Sequence, residues 1–440
     1  MTTFPQAVSP ETVSTDPRWV YSGGGFVVWR RRRSPAGRPA PSNSDRTQKT
    51  GGIMYKKTNP SFRLAALLAL AGLCAAPVRA AELELSKAVQ KVKISGDLRL
   101  RQENFFKKTK GQTDRGRQRF RLRLGTDLSF PRSVTAKIRL ASGTGEQVST
   151  NQSLDNLSSQ KQLWIDRAYL EWKACDAASF TGGRMANPLW TVYSSDVVWD
   201  DDFNPEGFGE QFKFSLFGRG RFFVNALQMV ADEDSGTNND QSLFSGQAGV
   251  EIPLFSESRL KLAGAMHEWV NETTTTRRNA GTLSQAAVQE GNRRYASGVL
   301  QNEFRVAELT AEYKSKLLGL PVALQGTYVR NVNPVDAISP KETSGYQAGA
   351  VLGKASAAKS WEAAYFHKSV ETDATVADVA DSDFGDGGTN RRGHIMWLAY
   401  NPEEWIQFKT KYFITQVAET KLSPGADDIN RLQVDLSVKF

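Results

Sequence analysis

Five arginines alternate with apolar residues in two short stretches. Arg99 and Arg101 lie in "DLRLR" (97–101), and Arg119, Arg121 and Arg123 in "RFRLRLG" (119–125). Lys137, Arg139, Arg167 and Lys173 continue the pattern further along. Side chains two apart in an extended chain share a face, so these groups predict one basic wall. A later segment, "NPLWTVYSSDVVWDDDFNPEGFGEQF" (187–212), gathers Asp196, Asp200, Asp201, Asp202 and Glu206 among Trp190, Tyr193, Trp199, Phe203 and Phe208. So aromatic a segment is poorly suited to open water. Folding it against the wall buries the rings and sets its carboxylates opposite the arginines. Opposed charges across a wet gap make a transverse field that favours small polar solutes over apolar ones. The same arginines can instead pair with wall acids such as Asp97, Asp127 and Glu171 and stiffen the wall, and the two arrangements can coexist. The triplet Asp200–Asp202 lacks the regular ligand spacing of a calcium loop, so no metal is assigned.

Nothing in the chain assembles a catalytic set. G-x-S-x-G, a phosphate-binding P-loop and H-E-x-x-H are all absent, so no catalytic residue or cofactor is assigned and no enzyme is expected. His267, His367 and His394 fall on separate predicted strands. Cys175 is the only thiol after residue 80, which excludes an intrachain disulfide and a cysteine-based metal site in that part.

The elements that position the wall are strands. From about residue 91 the dominant period is two. Sixteen such stretches follow, beginning with "KVKISGDLRLR" (91–101), "RFRLRLGTDLSF" (119–130) and "VTAKIRL" (134–140) and ending with "RLQVDLSVKF" (431–440). Their connections alternate between tight turns ("PRS", "CDAA", "GRG", "FSES", "LLGLP", "KASAAK", "NPEE") and long polar segments such as 143–161, 187–209, 271–301, 371–390 and 417–427. Short turns on one rim and long loops on the other predict an all-β fold, a transmembrane antiparallel β-barrel of about sixteen strands, with the acidic segment folded inward after strand five. Phe130, Trp172, Phe180, Phe217, Phe222, Phe255, Trp361, Tyr400 and Trp405 lie near tight turns and form a candidate aromatic girdle. A Lys or Arg on the lipid face near mid-membrane costs about 2–4 kcal/mol, so the basic parity must line a wet interior.

Charge and hydropathy divide the chain. Residues 1–80 hold twelve Lys/Arg and three Asp/Glu, which accounts for the whole net charge of +9. The remainder is neutral, so the basic balance implies no nucleic-acid partner. "MYKKTNPSFRLAALLALAGLCAAPVRAAE" (54–82) has a basic start, an apolar core too short to span a bilayer, and small residues before a cleavage point after Ala80. Residues 54–80 therefore read as a signal peptide and 81–440 as the barrel. Residues 1–53 are charge-clustered and Pro/Ser-rich, and read as a disordered, non-native extension with translation starting at Met54.

Several stretches carry a specific resemblance: "ISGDLRLRQENF" (94–105), "RQRFRLRLG" (117–125), "IDRAYLEW" (165–172), "GGRMANPLW" (182–190), "DVVWDDDFNPEGF" (196–208) and the terminal "VDLSVKF". In these the chain resembles the Gram-negative outer-membrane porins, most of all the "putative porin" group. The resemblance implies an inward third loop with an acidic bend. "NPEGFGE" (204–210) matches that bend with Gly207 inserted, which makes Glu206 the corresponding acid. It also implies a homotrimer and a final strand, with Leu436, Val438 and the terminal Phe440, that the barrel assembly machinery reads. The function it implies is passive diffusion of small hydrophilic solutes and ions across the Gram-negative outer membrane. Two alternatives stand beside it, an anion-selective channel and a non-conducting barrel acting as adhesin or enzyme.

Overall fold

Alternation of oily and polar residues has one stable outcome in a bilayer, a sheet that closes on itself so that no strand edge is left unpaired. The computed structural model takes that form. It describes residues 86–108, 113–193, 195–233, 235–236, 240–271, 291–295, 299–422 and 426–440. The expected signal peptide (54–80) and the expected extension (1–53) lie outside the described residues.

Among the described residues there are sixteen long strands: β1 (Lys91–Lys107), β2 (Arg115–Phe130), β3 (Val134–Ser142), β4 (Leu163–Cys175), β5 (Ala178–Arg184), β6 (Glu206–Leu216), β7 (Gly220–Asp232), β8 (Gln241–Phe255), β9 (Ser258–Val270), β10 (Arg305–Leu317), β11 (Leu320–Asn331), β12 (Ser344–Gly353), β13 (Ser360–Val370), β14 (Arg391–Glu403), β15 (Ile406–Val417) and β16 (Ile429–Lys439). A two-residue strand, Gln152–Ser153, adds to β2. Each long strand is antiparallel to its neighbour, and β16 returns to β1 to close the barrel. Turns of a few residues join β2 to β3, β4 to β5 and so on around one rim, with the longer loops on the other.

The two faces of the wall differ as expected. Ile94, Leu98 and Leu100 point outward from β1, whereas Arg101 and Glu103 are buried inside. Trp172, Phe217, Phe255, Trp361, Tyr400 and Trp405 are exposed near the short-turn rim, and Trp172 stacks on Phe180 at 5.7 Å. The girdle and the inward basic parity are both present. The chief departure is that β6 begins at Glu206, so the inward loop ends earlier than 209.

Inside the long-loop half of the barrel lies an apolar core. Val197, Val198 and Trp199 of loop 185–205 pack with Leu300, Ala374, Val376 and Val379 from two further loops and with inward residues Leu227, Leu243, Val306, Val329 and Val370 of the wall. Each valine and leucine among them contributes about 1.5–3 kcal/mol on burial. The lumen is therefore partly filled by packed loops.

The seam pairs β1 with β16 from Asp97 to Lys107, and Phe440 extends it by one step. Phe440 donates its amide to the Gly96 carbonyl at 3.1 Å and accepts the Gly96 amide at 2.8 Å. Its ring lies over Gly96, where an added Cβ would come within 2.6 Å of the ring and 2.5 Å of the Arg123 carbonyl. Gly96→Val should therefore destabilise the closed barrel by about 1–3 kcal/mol, since overpacking on backbone has no cheap relief. Heat-modifiable gel mobility should show this as an earlier unfolding temperature, whereas Gly246→Ala, which meets nothing within 4 Å, should leave it unchanged.

Candidate functional site

The register of β1 and β2 sets Asp97 opposite Arg123, Arg99 opposite Arg121, Arg101 opposite Arg119 and Glu103 opposite Arg117. Two arginine pairs thus face each other directly, and like charges in that position repel. Interleaved carboxylates offset the repulsion. Asp97 pairs with Arg121 and Arg123, both at 2.7 Å. Asp435 of β16 holds Arg101 by two hydrogen bonds, at 2.7 and 2.9 Å, and lies 3.8 Å from Arg99. Buried Glu103 pairs with Arg117 and with Arg431 of β16, and reaches Arg119 at 3.7 Å. Further round, Arg139 pairs with Asp166, Lys137 with Glu171 at 2.8 Å, and Arg167 donates to Asn204 at 2.7 Å. Lys173 lies exposed, 3.8 Å from the same Glu171.

Loop 185–205 crosses the lumen and touches several walls. The Trp190 backbone exchanges two 2.8 Å hydrogen bonds with the Gln247 side chain of β8. Tyr193 packs edge-on against Trp397 of β14 at 5.8 Å, and Trp199 against His267 of β9 at 5.4 Å. Asp202 then meets the basic wall, 3.5 Å from Arg123 and 4.0 Å from Arg121, and accepts a hydrogen bond from the Thr150 hydroxyl at 3.2 Å. A contact of that length is worth about 1 kcal/mol in bulk water and about 4 kcal/mol at the effective dielectric of a protein surface.

The remaining loop acids go elsewhere. Asp201 is exposed. Asp200 is buried and accepts the amides of Asp202 and Ser382, each at 2.8 Å. Asp196 is buried too, its backbone carbonyl accepting from the Lys368 ammonium at 3.2 Å. Glu206 departs from its expected role. It opens β6 on the outward parity it shares with Phe208, and pairs with Arg184 at 2.6 Å. The bend residue is placed there because the strand starts at Glu206 itself, and Gly207, at φ 149°, brings its backbone against Gln228. Among the described residues Asp202 is thus the only one of the five acids ion-paired with the basic wall.

A second inward loop, 371–390, was not singled out from the sequence. Asp381 pairs with fully buried Lys368 of β13 at 2.7 Å. Asp383 pairs with Arg431 at 2.6 Å and with Arg101 at 3.4 Å, so it joins the wall's own network. Backbone hydrogen bonds from Asp200 to Val379 (2.8 Å) and from Asp381 to Asp196 (3.2 Å) tie this loop to loop 185–205. The signal available in the sequence was Val376, Ala377, Val379 and Ala380 within an otherwise polar loop.

Against the wall formed by β15, β16, β1, β2 and β3 lies a cavity of about 460 Å³, whose lining includes Asp97, Arg99, Arg121, Arg123, Arg139 and Lys409. Lys409 and Lys411 lie 4.6 and 5.8 Å from the Trp397 ring, and neither has a carboxylate within 4.0 Å among the described residues. Excess cations therefore face this space.

The charges of the loops differ in what they ask of pH. Burial, with Asp202 and Asp381 nearby, pushes the Asp200 carboxyl well above the usual carboxylate range. Burial with Asp201 and Asp381 does the same to Asp196. For Asp202 burial acts upward, but Arg121, Arg123 and Arg99 outweigh it and hold the group below its ordinary value. Asp383 is half-buried, which also acts upward, yet Arg431 and Arg101 hold it well below.

A closed barrel with an oily exterior, a charged lumen and an inward loop defines an outer-membrane channel. The chain matches the family model described as "Putative porin" over residues 106–298 and 272–440, and it belongs to that family. Solved structures of the same fold include Pseudomonas putida OprB, at 10% identity, covering 79% of this chain and 94% of that one with a TM-score of 0.50. A mutant of the Rh. blastica porin is 9% identical over 80% of this chain and 100% of that one, with a TM-score of 0.43. A loop-deletion mutant of Vibrio cholerae OmpT is 10% identical over 80% and 99%, with a TM-score of 0.44. No curated protein sequence matches the chain.

A carboxyl whose folded pKa is raised destabilises the fold once it is charged, so stability grows as pH falls through that pKa. One whose folded pKa is depressed contributes stability that is lost on further acidification. The unfolding temperature of the purified barrel should therefore rise as pH falls from neutrality towards about 4, where unfolded carboxyls titrate. Below that it should fall as Asp202 and Asp383 take up protons. Heat-modifiable mobility measured from pH 8 to pH 3 checks the shape, and a steady decline from pH 8 downward contradicts it.

Proposed function

We propose that this channel passes small hydrophilic solutes and ions passively down their gradients, by way of the cavity against the arginine wall. The observation that carries the reading is the Asp202 carboxylate facing Arg121 and Arg123 beside that cavity. A transverse field there replaces part of the hydration of a polar solute and does nothing for an apolar one.

A preference for anions has its own support. Arg99, Arg121, Arg123, Arg139, Lys409 and Lys439 line the cavity against two carboxylates, Asp97 and Asp435. On this reading the arginines steer anions inward, while Asp97 and Asp202 keep them from binding too tightly to leave.

Maturation fits the same picture. Cleavage near Ala80 releases residues 81–440 into the periplasm, and the assembly machinery engages the terminal strand with Leu436, Val438 and Phe440 before the seam closes on Gly96. A homotrimer has support on the outer face of β6. Glu210 points outward there, with one carboxylate oxygen 3.3 Å from the Gln228 amide and the other buried without a partner. A second copy covering that pair removes a carboxylate from lipid.

Refolded 81–440 in a planar bilayer should show stepwise conductance. Arg121→Gln with Arg123→Gln should shift the reversal potential under a salt gradient towards cations. An unchanged permeability ratio would assign both arginines to wall stiffening, and an absence of conductance steps would remove the channel reading.

A further inference from the structure

The outward wall of β11–β14 departs from an oily surface near its long-loop end. Register places Tyr328, Tyr346, Ser369 and Arg392 side by side, with Gly326, Ala348, His367 and His394 in the next row. Arg330 stands one step beyond Tyr328 on the same outward parity. The two imidazoles are 5.0 Å apart between ring centroids. Each is met at Nδ1 by a tyrosine hydroxyl, Tyr346 on His367 at 3.2 Å and Tyr365 on His394 at 2.8 Å. With those hydroxyls donating, each ring carries its proton on Nε2, and that N–H has no protein acceptor among the described residues.

Charge on this face is one-sided. Towards the long loops the strands β11 to β15 place no Asp or Glu on their outward parity, since Glu362 is buried inside and Glu403, opposite Ile406 after a register shift, lies exposed at the short-turn rim. Arg330 and Arg392 are exposed and form no ion pair among the described residues. Glu371, just beyond β13, has its carboxylate on the Ser344 amide at 2.7 Å. The surface therefore offers two guanidinium groups and two imidazole N–H groups against one carboxylate, Glu371, which is already held on the Ser344 amide.

Depth sets what can answer it. Ser369, beside Arg392, is eight residues along β13 from girdle residue Trp361. That is about 27 Å of strand, or about 20 Å along the membrane normal at a tilt of ~40°. The apolar band of such barrels is about 25 Å tall, so the Arg392 row lies about 5 Å below its upper edge, from which long arginine side chains reach the outer leaflet's headgroups. Below Tyr328 and Tyr346, Gly326 and Ala348 leave the surface without bulk, and a Cβ added at Gly326 would meet nothing closer than 3.8 Å. An acyl chain fits against that hollow while its headgroup reaches the basic row.

We propose that this face binds the phosphate of an anionic lipid of the outer leaflet, with Arg330 and Arg392 as the charged contacts and His367 and His394 as neutral donors beneath them. The proposal concerns the outer wall and is independent of what passes through the lumen.

The test is lipid retention by the purified full barrel, read by native mass spectrometry after exposure to bis-phosphorylated lipid A or to phosphatidylcholine. Wild type should keep the phosphorylated lipid preferentially. The R330Q/R392Q double variant should lose about tenfold of that retention, the scale expected for two charge-assisted contacts at a partly exposed site. Its conductance should be unchanged, because neither residue faces the pore. Should that variant fold poorly, Ser369→Glu sets an anion beside Arg392 with both arginines in place, and the same loss is expected. Equal retention of the two lipids, or equal retention by wild type and variants, overturns the proposal. So does disulfide capture between copies through Tyr346→Cys in the membrane, which would assign the face to a second protein.

Discussion

Every inward arginine on β1 and β2 stands beside another arginine, and the wall holds only because carboxylates are threaded between them. Asp97, Glu103 and Asp435 come from two strands that meet at the seam, and Asp202 and Asp383 come from two different loops. The network thus joins barrel closure to loop position. A barrel without its seam would lack Asp435 and Arg431 beside Glu103. A barrel without its loops would leave Arg121, Arg123 and Arg431 with fewer partners in a half-buried lumen, where unpaired charge is costly.

Much of this was legible because a membrane barrel makes strict demands on sequence. Period two, turn length and the location of aromatics each answer to the bilayer, so the sixteen strands and their inward parity follow from residues such as Arg119, Arg121 and Arg123. The inward loop was legible for a similar reason, since Trp190, Trp199 and Phe203 have no place in water. What could not be read was which carboxylate goes where. Asp196, Asp200 and Asp202 look alike in sequence, and their separation depends on backbone amides and on Lys368, which lies far away in the chain. Glu206 was misplaced because the bend was aligned on a motif whose strand starts earlier here. Loop 371–390 was overlooked because its short aliphatic residues are diluted by polar ones.

The loops also decide how much of the lumen stays open. Barrels of this strand number leave an aqueous interior when only side chains fill them. Here two loops tied by backbone hydrogen bonds fill part of the interior, and one cavity lies against the most basic strands. On the proposed function, passage and electrostatics are thereby placed together.

The apolar core within the barrel has a consequence for the order of assembly. Its wall residues come from β7, β8, β10, β11 and β13, far apart in the chain and brought around one space only when the sheet curls shut. Loops 185–205 and 371–390 have no complete surface to pack on until then. The packed interior is therefore a product of closure: it has no complete wall to form against while the sheet is open.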